Sequence, residues 1–204
     1  MNIKTHVIIQ HPCMFTRIAM HKIIRALGDE YAVKETACLT VYMQENKLPP
    51  VYSPILLITH IPSCCSLIKT MHAMGKLQFQ SAHSLKTIVL TNRMIRPLVM
   101  EFLNQYAERC FFLDERATIG NFSENIRHLL SKEVTSITAR HFNLSKSLTA
   151  RERYVIECLI KGMSIWKVAN GLGIDYKTVS QHKISALRKL GLRHFNSLFS
   201  VKWN

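Results

Sequence analysis

Short apolar runs alternate with amphipathic stretches over the first 131 or so residues. His6-Val7-Ile8-Ile9 predicts a strand, and Tyr31 to Glu35 a second. Pro54-Ile55-Leu56-Leu57-Ile58 and Thr87-Ile88-Val89-Leu90-Thr91 are continuous apolar runs, the pattern of strands buried on both faces. Arg109 to Leu113 predicts the last strand. Between them lie helical periods. Phe15 to Leu27 carries Phe15, Ile18, Ala19, Ile23 and Leu27 on one stripe, closed by Gly28. Ser66 to Met74 predicts a helix closed by Gly75. Ile95 to Tyr106 and Ile119 to Leu130 predict two more. Five strands alternating with five helices imply a parallel sheet covered on both faces, with any site at the carboxyl ends of the strands.

The pattern then changes. Glu133 to Ser145 is polar without a clear period and reads as a linker. The expected division is residues 1–131, a linker at 132–145, and an all-helical domain at 146–204. In the last part Thr149 is placed to cap a helix, with Glu152 three residues on completing a capping box. Val155, Ile156, Leu159 and Ile160 form its apolar stripe, and Gly162 ends it. Ser164 caps a second, short helix whose inward face is Val168, Ala169 and Leu172. Gly171 and Gly173 bracket a tight turn, Ile174 plugs the core, and Asp175 caps a third helix from about Tyr176 to Leu190. Val179, Leu187 and Leu190, with Ile184 or Lys183, are alternatives for its inward face, and Gly191 stops it. Phe195 to Val201 predicts a fourth helix. A helix, a tight turn and a second helix are the parts of a helix-turn-helix, whose second helix enters the major groove of DNA. Its N-terminal half reads Lys177, Thr178, Ser180, Gln181 and Lys183, polar or basic side chains suited to base edges.

Charge points the same way. The chain of 204 residues carries a formal +14, which implies a polyanionic partner. From Lys146 to Asn204 there are 11 Lys and Arg against 3 Asp and Glu, a net of +8, whereas the preceding 145 residues carry +6. The first residues lack a signal-peptide pattern, and no apolar stretch approaches the roughly 18 to 20 residues that span a bilayer, so a cytosolic chain with no membrane partner is expected. The six cysteines, Cys13, Cys38, Cys64, Cys65, Cys110 and Cys158, form no CxxC pair and are expected to be buried or half-buried thiols. No metal, cofactor or small-molecule ligand is expected.

The segment from Leu148 to Leu192 resembles the LuxR/FixJ-type DNA-binding domain. The matching features are Leu148-Thr149, Arg151-Glu152, Gly162, Ala169, Leu172, Ile174, Lys177-Thr178-Val179, His182 and Lys189-Leu190-Gly191. The string from Lys177 to Leu192 is most similar to the RcsB/BglJ branch. The resemblance implies a four-helix domain whose third helix reads double-stranded DNA, usually as a dimer. Carried over by position, Lys177, Thr178, Ser180, Gln181, Lys183 and Ile184 lie near DNA. Lys167, Arg188 and Lys189 are phosphate contacts, which position without specifying. The family often has Lys where this chain has Ser180, which changes what that position can read. His182 is expected to pack within the domain. Ile165 and Trp166 fall on the outer side of the second helix, either as cover for the core or as a contact for a partner protein.

In this family the front domain is often a phosphorylation receiver, and the strand-helix alternation resembles one. Receiver chemistry needs an acidic pair after the first strand for Mg²⁺, a nucleophilic Asp ending the third, a Thr or Ser after the fourth and a Lys after the fifth. Here the first strand ends Ile8-Ile9-Gln10-His11, Ile58 stands at the Asp position, and Leu113 is near the Lys position; Thr91 alone matches. The fold class expected is α/β plus all-α: a five-stranded, receiver-like domain that cannot be phosphorylated by the usual route, then a LuxR-type helix-turn-helix domain. Gln10, His11, Thr59 and His60 are either a relic surface or a polar ligand pocket. The function expected is a phosphorylation-independent transcription regulator, not an enzyme, acting as a homodimer or as a heterodimer with a related regulator. The alternative is an interaction module that sequesters another regulator without touching DNA.

Overall fold

The computed structural model describes residues 4–46, 53–61, 66–81, 85–103, 110–130 and 147–199. In its first part, strands β1 (Thr5–Gln10), β2 (Tyr31–Thr36), β3 (Ile55–His60), β4 (Leu85–Thr91) and β5 (Cys110–Asp114) alternate with helices α1 (Met14–Arg25), α2 (Leu39–Glu45), α3 (Leu67–Gln80), α4 (Arg96–Leu103) and α5 (Ile119–Leu130). The strands form one parallel sheet in the order β2-β1-β3-β4-β5. The order reverses between β1 and β3, so the crevice outside their carboxyl ends is the natural site position.

Alternate strand residues supply two cores. Val7, Ile9, Leu56, Ile58, Ile88 and Leu90 pack with Met20 and Ile24 of α1 and Phe122, Ile126 and Leu129 of α5. Ile8, Ile55, Leu57, Leu85 and Val89 face the other way, toward α2, α3 and α4. Continuous apolar runs are therefore required, because both faces of β3 from Ile55 to Ile58 and of β4 from Thr87 to Leu90 are buried.

Three features differ from the sequence pattern. Helix α3 continues through Gly75 to Gln80, because Leu77 and Gln78 beyond it are buried. That burial outweighs the ~1 kcal/mol a helical glycine costs. The helix that the alternation requires between β2 and β3, which has no clear period, is α2. Cys13 and Cys38 are exposed, since each precedes a helix at a strand exit, while Cys110 and Cys158 are buried. Cys64, Cys65, the linker at 132–145 and residues 104–106 of the expected fourth helix lie outside the described residues.

The C-terminal part contains α6 (Ala150–Ile160), α7 (Ile165–Leu172), α8 (Tyr176–Lys189) and a short 3-10 helix at Phe195–Leu198. The last replaces the longer helix expected from Phe195 to Val201. Asn196 and Ser197 compete with the helical backbone for hydrogen bonds, and Leu198 alone in this turn is fully buried. Residues 200–201 lie outside the described residues. The α3/α4 core continues into Leu148, Ile156, Ile160, Leu187 and Leu190.

A polar contact accompanies this apolar one. Glu101 of α4 is buried, and its Oε1 accepts from Leu148 N at 3.1 Å and from Arg153 Nη2 at 2.7 Å. The Arg153 guanidinium also lies over the Phe102 ring, 5.5 Å from its centroid. Glu101→Ala removes the acceptor from a buried amide and from an arginine, and is expected to lower stability by about 2 kcal/mol in urea denaturation. The Leu148 amide should exchange with solvent faster in the same variant.

Candidate nucleic-acid interface

The start of α6 is built as the sequence implies. Thr149 Oγ1 accepts from Glu152 N at 3.2 Å, and Glu152 Oε2 accepts from Thr149 N at 2.7 Å. The carboxylate does more than cap. It also accepts from Ser185 Oγ at 2.7 Å and from Lys189 Nζ at 2.7 Å, both on α8. Burial acts to raise its pKa, but the bonds from Lys189, Ser185 and Thr149 outweigh it and hold Glu152 at about 2. One buried carboxylate thus fixes α8 against α6. Lys189, expected as a phosphate contact, is committed to this internal pair and is largely covered.

Val155, Cys158 and Leu159 of α6, Val168 and Ala169 of α7 and Val179 of α8 form the small core between these helices. Ser164 Oγ accepts from Lys167 N, and Asp175 Oδ1 from Lys177 N, so all three helices begin on a side-chain cap. Gly173, at φ 63°, makes the left-handed turn between α7 and α8. Gly171 is helical, inside α7, so one glycine rather than two forms the turn. Ile174 N donates to Ala169 O, and its side chain packs on the core.

Helix α8 turns Val179, Ala186 and Leu187 inward. Ile184 is 62% exposed, which removes it from the inward-face alternatives. Lys177, Gln181, Ile184 and Arg188 recur at helical spacing and are all exposed, so they form one outward stripe. Thr178, Ser180 and Lys183 are half-buried on its flanks, and His182 is half-buried. Lys167 is exposed on α7. Ile165 and Trp166 separate: Ile165 packs on the core, while Trp166 is 63% exposed and stacks on Tyr176, with ring centroids 4.3 Å apart. Nothing in the sequence periodicity marks Tyr176 as its partner.

Residues 146–201 match the family described as bacterial regulatory proteins, luxR family. The C-terminal domain is a LuxR-type helix-turn-helix domain. The chain is 36% identical over 59 residues to the transcriptional regulatory protein TdiR of Thauera aromatica, covering 29% of this chain and 26% of that protein. It is 47% identical over 45 residues to the transcriptional regulatory protein UhpA of Salmonella typhimurium, covering 22% and 23%. The chain spans about a quarter of the length of these curated relatives. Likeness over nearly the whole chain comes from solved structures. RcsB of Salmonella enterica serovar Typhimurium, bound to a promoter with a phosphomimetic, gives a TM-score of 0.56 at 22% identity over 95% of both chains. A second structure, of the Salmonella typhimurium RcsB response regulator, gives 0.54 at 21%, covering 96% of this chain and 95% of that one. The shared fold is a receiver-like sheet domain followed by the LuxR-type domain.

At the switch point of the sheet, the four strand-end residues do come together. Gln10 Oε1 accepts from Thr59 Oγ1 at 2.6 Å and from His60 N at 3.2 Å, while Gln10 Nε2 donates to Ala37 O. The His11 and His60 rings lie 4.7 Å apart, and His60 Nε2 is 3.4 Å from Glu115. Burial, and then His60, push the His11 imidazole down to about 4. Burial also lowers His60, against the opposing effect of Glu115. Ile58 is fully buried between Ile9 and Ile88, so no polar group can take its place without facing the core.

Two measurements follow from these geometries. Glu152→Ala should cost about 3 kcal/mol, read from the denaturation midpoint. Acid should act in two steps. His11 binds its proton more weakly folded than unfolded, so stability present above pH 6.5 falls as pH drops toward about 4. Glu152 likewise contributes above about 4.5, and that contribution is lost toward about 2. The first step should shrink in His11→Gln, His60 supplying the remainder, and the second should vanish in Glu152→Gln, in pH-dependent melting curves.

Proposed function

We propose that this protein is a cytoplasmic, DNA-binding transcription regulator whose reading helix is α8 and whose activity does not depend on receiver phosphorylation. The observation that carries the reading is the outward stripe of Lys177, Gln181, Ile184 and Arg188 on a LuxR-type domain of strongly positive charge. Lys177, Gln181 and Ile184, with the flanking Thr178, Ser180 and Lys183, read base edges in the major groove. Lys167 and Arg188 contact phosphates. Titration of the full chain with duplex DNA should show binding that weakens steeply with salt, as condensed counterions are displaced. Lys177→Ala should weaken it about tenfold at fixed salt. Absence of binding at low salt would favour a chain that sequesters another regulator.

The phosphorylation-independent part rests on the strand ends. Gln10 and His11 stand where a receiver holds Mg²⁺, Ile58 stands in place of the nucleophile, and Leu113, followed by the acids Asp114 and Glu115, lies near the position of the lysine. Control then passes to protein level or to pairing with a second copy or a related regulator. Met14, Phe15 and Ile18, exposed along α1, support a pairing surface. Incubation with acetyl phosphate and Mg²⁺ should leave the mass unchanged, and a gain of one phosphoryl group would overturn this part.

A further inference from the structure

The Trp166–Tyr176 stack is not explained by packing. Trp166 sits in the first turn of α7 and Tyr176 is the first residue of α8, so the stack joins the N-terminal ends of the two helices of the motif. Trp166 is 63% and Tyr176 36% exposed, and neither belongs to the core between α6, α7 and α8. Ile165 beside Trp166 already provides the apolar cover on that side.

The surroundings of the stack select its occupant. Lys167 follows Trp166 and Lys177 follows Tyr176, both exposed, and neither helix has an acidic residue in its first turn. Asp175 is the one acid between Ser164 and Arg188, and it is occupied as the cap on Lys177 N. An aromatic surface bordered by two ammonium groups and two helix N-termini suits a polyanion whose charges are separated by apolar rings. A DNA strand offers that alternation, phosphate and then deoxyribose. In a helix-turn-helix the first helix crosses the DNA backbone while the start of the second enters the groove, and the stack lies where those two positions meet.

We propose that Trp166 and Tyr176 form an aromatic step that packs against the deoxyribose-phosphate backbone beside the groove entered by α8, with Lys167 on the flanking phosphate and Lys177 leading into the groove. The inference rests on the DNA-binding reading above and adds a contact of different physics. Apolar faces against sugar, and an indole N–H donating to a phosphate oxygen, strengthen binding without releasing counterions. The step therefore contributes affinity that salt does not remove, and it fixes the entry angle of α8 without reading sequence.

The test separates this contact from charge. Binding of the full chain to a mixed-sequence duplex is followed by fluorescence anisotropy at several salt concentrations. Trp166→Ala should weaken binding about tenfold at every salt concentration and leave the slope of log K against log salt unchanged. Lys167→Ala should reduce that slope by about one. Trp166→Phe should recover part of the loss. Because Trp166 is exposed, its removal should leave the melting temperature unchanged, so a fold defect is not confused with a lost contact. The chain has 2 tryptophans, so Trp203→Phe leaves Trp166 as the single indole. Adding duplex should then shield it from acrylamide. Unchanged affinity in Trp166→Ala, or unchanged quenching with duplex bound, would overturn the proposal. So would shielding that grows with protein concentration without DNA, which would assign the step to contact between copies. A wild-type chain that binds no duplex at low salt removes the DNA-binding reading itself, and the step falls with it.

Discussion

The placement of α8 depends on the Glu152 carboxylate. A helix of 14 residues such as α8 is marginal alone in water and takes its position from packing. The core it packs on is small, a handful of residues from three helices. Glu152 adds direction to that apolar contact. Its carboxylate accepts three hydrogen bonds, one from Thr149 N at the start of α6 and two from Ser185 and Lys189 in the last two turns of α8, so the helices are held in rotation as well as in distance. A buried charge costs several kcal/mol to desolvate, and this one is tolerable because both of its oxygens accept hydrogen bonds, one of them from a lysine ammonium. Rotating α8 by one residue would break two of these bonds and turn Ile184 toward the core.

The same device appears between the two parts of the chain. Glu101 on α4 holds Leu148 N and Arg153 at the entrance to α6. Arg153 is drawn into this pair and over Phe102, so it is a packing residue as much as a surface cation. Two buried carboxylates in series thus link the receiver-like sheet, through α4 and α6, to α8. The link is made of bonds that single substitutions can remove.

Much of this was legible because it is local. Capping boxes, apolar stripes and continuous buried strands are patterns of a few adjacent residues, and Thr149, Ser164 and Asp175 each cap the helix their position implies. What was illegible is of longer range. The capping box identifies Glu152, but not Ser185 and Lys189, 33 and 37 residues away. Lys189 has the composition of a phosphate contact and is instead spent on an internal pair. Gly75 looks like a helix stop, and tertiary burial of Leu77 overrides it. The pairing of Trp166 with Tyr176 depends on the angle at Gly173, which no period encodes. At the strand ends the missing receiver residues could be read directly, whereas the two bonds that Gln10 accepts from Thr59 and His60 could not.

The uneven charge has a kinetic meaning. With a net of +8 on the last 59 residues, the chain carries an excess of positive potential at one end. A polyanion within about 10 Å at 0.1 M salt feels that end before any surfaces touch. Collisions are therefore biased in orientation, and fewer random encounters are wasted with the sheet facing the partner. Dilution of salt should lengthen the reach of this bias, while the internal pairs at Glu101 and Glu152, shielded from solvent, keep their geometry.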